Sequence, residues 1–233
     1  EKPFNLFTIT LLAAVVVLIV INQVQISSLS NAGVSILSFG SSRTSVFAGK
    51  GDLNKVNIDG LQSTAQTVAA VFPLSDAKSG DEVMAMMFPT GTPEYGEKLG
   101  VTFDDPVNAL STLSKMFRPL KSEAEKSNPE AFARYVGLAS TPKGISCEYC
   151  CGVGPAGADK GGNSVCGCQH NPALLAVTLY LTAYTDYTDA EVLREVMRWK
   201  TLFFPKDMIN LASKIAGGDA SALESLPGMV GGC

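Results

Sequence analysis

TDAEVLREVMRWKTLFF, residues 188 to 204, reads as a helix from end to end. Thr188 and Glu191 have the capping-box spacing, in which a hydroxyl and an acid three residues on satisfy each other's backbone N–H groups. Val192, Val196, Trp199 and Phe203 recur every three or four residues, the row expected of side chains facing a core. The helix stops before Pro205, because the residue ahead of a proline is pushed out of the helical region.

Similar signals flank it on both sides. KDMINLASKIAGG, from 206, predicts a last helix ending on paired glycines. Upstream, Asn128 and Pro129 open NPEAFARYVGLA, with Gly137 near its end, and Asn171 and Pro172 repeat that start ahead of PALLAVTLYLTAYT. Val107, Leu110, Leu113 and Phe117 give VNALSTLSKMF an apolar stripe.

The earlier part of the body is more mixed. TSVFAGKGDLNKVNIDG, from residue 44, places turns around a short strand-like piece, VSILSFG has strand character, and TAQTVAAVF suits either a strand or a short helix. DEVMAMMFPTGTPEYGEKLGVTFDDP is broken by Pro89, Pro93 and Pro106 and reads as a loop in its middle. Its acids, Asp81, Glu82, Glu94, Glu97, Asp104 and Asp105, lack EF-hand spacing and fit a solvated loop better than a calcium site. The fold class expected is α+β, a mainly helical head domain over 39–233 behind a long N-terminal hydrophobic helix over 1–38.

Residues 147 to 170, CEYCCGVGPAGADKGGNSVCGCQH, hold five of the six cysteines and the only histidine. Cys147, Cys150, Cys166, Cys168 and His170 have the density of a site for zinc, iron or copper, since closely spaced soft donors converge on one ion. Cys151 and Cys233 complete an even count, which in an oxidising compartment favours disulfides among Cys147, Cys150, Cys151, Cys166, Cys168 and Cys233, bridging between the two clusters. On that reading the protein carries no cofactor. No phosphate loop, G-x-S-x-G elbow or H-E-x-x-H is present, and an enzyme is not expected. With 18 basic residues against 22 acidic and no basic run, nucleic acid is an unlikely partner.

The compartment is read from the other end of the chain. FNLFTITLLAAVVVLIVI, residues 4 to 21, is uncharged throughout, and eighteen helical residues at ~1.5 Å each span most of a ~30 Å hydrocarbon core. No small-x-small cleavage signal follows directly, so the segment is expected to be retained. Lys2 is the nearest basic residue on its N-terminal side, and none follows until Arg43, which favours a body facing outward.

A retained apolar helix with three residues ahead of it resembles the type IV pilin family, including archaeal pilins, over about the first 38 residues. The resemblance implies a leader cut ahead of the helix and a helix that forms the core of a filament. Bacterial members often carry Glu at the fifth mature position, whereas this chain has Asn5, a departure that favours the archaeal branch. CEYCCG with CGCQHN and RWKTLFFP is similar to uncharacterised archaeal membrane-anchored proteins with a CCG and CGCxH core, a likeness that covers the last third and implies no activity.

Two functions follow as expectations. The first is a structural subunit of an extracellular pilus-like filament, anchored in the membrane before assembly and self-associating through residues 4–38. The alternative is a membrane-anchored extracytoplasmic domain that binds a metal or handles thiols. Under the first, Val16→Arg is expected to abolish assembly while the body stays folded, because a charge near the middle of an apolar helix costs about 2.5–3.5 kcal/mol. Sedimentation of the wild-type and variant chains checks this, and an unchanged oligomeric state in the variant would remove the filament reading.

Overall fold

The computed structural model describes residues 52–217 and 229–231. The expected helix over 1–38, the VSILSFG strand and Cys233 lie outside the described residues.

Among the described residues, nine α-helices follow one another. They are α1 (Thr64–Val71), α2 (Gly80–Met87), α3 (Gly96–Leu99), α4 (Pro106–Ser127), α5 (Pro129–Ala139), α6 (Glu148–Cys151), α7 (His170–Tyr184), α8 (Asp189–Phe203) and α9 (Pro205–Ala216). No strand occurs among these residues, only one isolated bridge between Ala158 and Ser164. The head is a helical domain, and the β component of the expected α+β class has no counterpart in the described part. TAQTVAAVF shows why. The Ser63 hydroxyl accepts from the Gln66 N–H at 3.2 Å, capping α1 before its alanines and valines can pair as a strand.

The arrangement centres on α7. Every side chain from Ala173 to Leu179 is buried, as expected of a helix that is apolar all round. Its threonines return their hydroxyls to its own backbone, Thr178 to the Leu174 carbonyl at 2.8 Å and Thr182 to that of Leu179 at 2.9 Å. This removes the cost of burying them. Helix α4 runs against α7, and α5 and α8 pack on it as well. From α4 come Leu110, Leu113, Phe117, Leu120 and Ala124, a buried stripe that continues past Pro119. A proline inside a helix costs about 3 kcal/mol, and burial of the residues beyond it offsets that loss.

Helix α8 has the capping box read from its sequence, with the Thr188 N–H donating to Glu191 at 2.7 Å and the Glu191 N–H to Thr188 Oγ at 3.4 Å. Val192, Val196, Trp199 and Phe203 are fully buried. The Trp199 indole donates to the Tyr95 hydroxyl at 2.9 Å, which in turn donates to Glu195 at 3.0 Å, and Arg198 pairs with Glu195 at 2.5 Å. The buried polar atoms along this seam thereby satisfy one another.

On the same helix, Lys200 has no solvent exposure. Its ammonium donates to Glu148 of α6 at 2.7 Å and to the Gly144 carbonyl at 2.8 Å, and it lies 5.1 Å from the centre of the Tyr149 ring. Burial draws the lysine's pKa below its ordinary value, and the Glu148 carboxylate opposes that shift. Thr64 of α1 also bonds Glu148. Three helices therefore meet on one carboxylate, directly beneath the first cysteine cluster.

Removing one partner of a buried pair typically costs about 3–5 kcal/mol. Glu148 keeps 19% of its side chain exposed, so Lys200→Met is expected near the lower end of that range. Adding Glu148→Gln to the same chain is expected to recover much of the loss. Chemical denaturation followed by the single tryptophan, Trp199, reads both variants, and a double variant no more stable than Lys200→Met alone would contradict the pairing.

Candidate metal centre

The first cysteine cluster sits on a single helical turn. The Cys147 carbonyl accepts from the N–H of Cys150 at 2.9 Å and of Cys151 at 3.4 Å, and Gly152 ends the turn in the left-handed region at φ 65°. Glycine is favoured there because it has no Cβ to clash. Residues three and four apart on a helix lie towards one face, so both Cys150 and Cys151 turn towards the side of Cys147; Cys151 joins the Cys147 sulfur, while Cys150 meets Cys168 and His170.

The second cluster, Cys166 and Cys168, arrives just ahead of α7. Between the clusters the chain folds back on itself, with Asp159 Oδ1 accepting the N–H groups of Gly161 and Asn163, each at 2.8 Å. Gly157 lies so close to the Ile145 carbonyl that an added Cβ would meet its oxygen at 1.7 Å. No larger residue fits there.

Asn171 joins the pieces. Its fully buried amide accepts from the Cys147 N–H at 3.2 Å and donates to the Gly157 carbonyl and to Ser164 Oγ, each at 2.7 Å. Ser164 Oγ donates in turn to the Cys166 carbonyl at 2.7 Å. Asn171 was expected as a helix cap with Pro172 at the first position; instead α7 begins two residues earlier, at His170, and the asparagine binds both sides of the loop.

The sulfurs of Cys147, Cys151, Cys166 and Cys168 all lie within 4.8 Å of one another. A second group, Cys150, Cys168 and a ring nitrogen of His170, meets the same limit. The five residues singled out as one metal set are thus divided: Cys147, Cys166 and Cys168 join Cys151, while Cys150 and His170 meet at Cys168. Sequence spacing alone did not select Cys151, because the choice depends on residues 148–151 forming a helical turn. Cys147 is buried, Cys151 is exposed, and Cys166 and Cys168 are half-buried.

No disulfide joins Cys147, Cys151, Cys166 or Cys168. The nearest sulfur pairs cross between the clusters, Cys151 to Cys166 at 2.6 Å and Cys147 to Cys168 at 3.2 Å. A tetrahedral ion with metal–sulfur bonds of ~2.3 Å sets its ligand sulfurs about 3.8 Å apart. Four sulfurs within 4.8 Å fit one such ion once the two close pairs widen by roughly 1.2 and 0.6 Å. The cluster could hold a metal.

The thiols differ in acidity. Burial pushes Cys147 far up, and bonds to the Cys168 and Cys166 thiols push it the same way. Burial also raises Cys168, to about 11. Burial opposes ionisation of Cys166 too, but hydrogen bonds from the Cys151 thiol, the Cys168 backbone and the neighbouring thiols outweigh it and bring Cys166 to about 7. Cys166 and Cys168 also line a cavity of about 760 Å³ against α4, whose Lys115, Arg118 and Lys121 face the same space. Glu125 lines the same space and pairs with Lys121 at 3.3 Å.

Comparison with protein-family models, with curated proteins and with solved structures finds no match.

Because Cys166 is depressed to about 7, its thiolate predominates above that pH and falls about tenfold per unit below it. In reduced, metal-free protein, alkylation is expected to reach Cys166 before Cys147 and Cys168, with a rate midpoint near 7. Peptide mapping after brief iodoacetamide treatment across a pH series checks this, and first labelling at Cys147 would contradict it.

Proposed function

We propose that this protein is a metal-binding domain that holds a thiophilic ion, zinc in the first instance, through Cys147, Cys151, Cys166 and Cys168. The observation that carries the reading is the convergence of four sulfurs, from clusters fifteen residues apart at Cys151 and Cys166, on a volume suited to one ion. Tetrahedral all-sulfur coordination suits zinc, and it leaves the site closed, as in structural centres. A divalent ion with four thiolates carries two net negative charges. The cavity beside Cys166 and Cys168 is lined by Lys115, Arg118 and a Lys121–Glu125 pair, an excess of positive charge on that side.

Placement at the outer face of a membrane belongs to the same proposal and is supported by the sequence alone, through the uncharged run at 4–21. A filament subunit is the other use of that run. It depends on residues 4–38, which lie outside the described residues, and the cysteine geometry is neutral towards it.

The competing chemistry at the same atoms is oxidation. Each close pair would lose two protons and two electrons to an external oxidant and form the cross-cluster bridges Cys151–Cys166 and Cys147–Cys168.

Full-length protein purified anaerobically in detergent is expected to bind zinc at Cys147, Cys151, Cys166 and Cys168, with these four thiols resisting alkylation until a chelator is added. Cys151→Ser is expected to weaken binding at this site by about 100-fold or more, beyond the 10–100-fold typical of residues that merely support a ligand. Elemental analysis with a thiol count on the same sample decides the matter. Protein without metal, with these four cysteines paired as disulfides, would make the loop a covalent brace and end the metal proposal.

A further inference from the structure

Six donor atoms surround the centre, and one tetrahedral ion uses four. The other two, the Cys150 thiol and a ring nitrogen of His170, do not fall in the four-sulfur group. They converge on Cys168, which belongs to both groups. A thiolate sulfur has lone pairs enough for two ions. We propose that Cys168 bridges two zinc ions, one closed by Cys147, Cys151 and Cys166, the other held by Cys150 and His170 with its fourth position open. This rests on the metal-binding reading above and extends it from one ion to two unlike ones.

The histidine is arranged as a ligand would be. Its Nε2 lies 3.0 Å from the Val230 carbonyl, which can only accept a hydrogen bond, so Nε2 carries the proton and Nδ1 keeps its lone pair. An imidazole that gives its other N–H to a backbone carbonyl is the usual orientation of a metal-bound histidine. The ring is fully buried, with the Phe204 and Phe203 rings centred 4.8 and 5.9 Å from its own, so it has little freedom to turn. Burial also favours its neutral form, the one that binds metal.

Charge points the same way. One zinc on four thiolates leaves two negative charges with Cys150 still a thiol, and a second zinc that displaces the Cys150 proton reduces this to one. Two cysteines and a histidine with an open fourth position are a donor set that zinc accepts in sites where water or a substrate atom binds. The two ions would therefore differ in role, one fixed and one able to exchange its outer ligand.

Zinc bound per chain is the measurement, made on reduced full-length protein in detergent after equilibration with zinc and removal of the excess. The wild-type chain is expected to hold two equivalents, and His170→Ala and Cys150→Ser one each. Cys151→Ser is expected to keep the ion at Cys150, Cys168 and His170. One equivalent in the wild type, unchanged in His170→Ala, would overturn the second ion and leave the four-sulfur site standing. Two equivalents in the wild type and in both the His170 and Cys150 variants would place the second ion elsewhere and overturn it too. No zinc at all would remove the metal-binding reading itself. Should His170→Ala fail to fold, the wild-type count and Cys150→Ser still decide.

Discussion

The side chain of Asn171 holds together what the sequence keeps apart. It is fully buried on the first turn of α7, and it bonds the backbone ahead of α6, the middle of the glycine-rich loop and the serine two residues ahead of Cys166. An amide can do this because it offers an acceptor and two donors in one plane. The same helix lies at the centre of the helical packing, so the cysteine loop is referenced to the most deeply packed helix among the described residues. Support of this kind keeps the two cysteine clusters facing each other, so that only the sulfur separations need adjust for an ion.

A second constraint operates from below. Lys200, reaching from α8, fixes Glu148 and so the orientation of the α6 turn that carries Cys147, Cys150 and Cys151. Its charge is also felt at Cys147. The pair is therefore structural and electrostatic at once: it holds a turn in place and puts a cation behind sulfurs that must become anionic to bind metal.

Much of the helical scaffold was legible in the sequence. The row at Val192, Val196, Trp199 and Phe203, the capping box at Thr188 and the starts at Asn128 and Pro129 are local signals, and the structure follows them. TAQTVAAVF was ambiguous because its composition suits both periods, and a single cap at Ser63 resolves it. The concentration of donors between 147 and 170 was also plain. Their partition was not. Cys150 and Cys151 are neighbours in sequence but about 100° apart around a helix, so which of them meets Cys147 depends on a four-residue turn without a strong signature. Lys200 reads as an ordinary polar position on α8, and only packing shows that it faces inward.

The contact between His170 and Val230 joins residues sixty positions apart. Val230 is held in turn by its own N–H, which donates to the Phe203 carbonyl at 2.9 Å, and a Cβ added at the next residue, Gly231, would come within 2.6 Å of Leu110. The tail is thus a latch whose bolt is a peptide carbonyl. Because that carbonyl can only accept, the backbone at position 230 sets which imidazole nitrogen is basic in a residue far away along the chain.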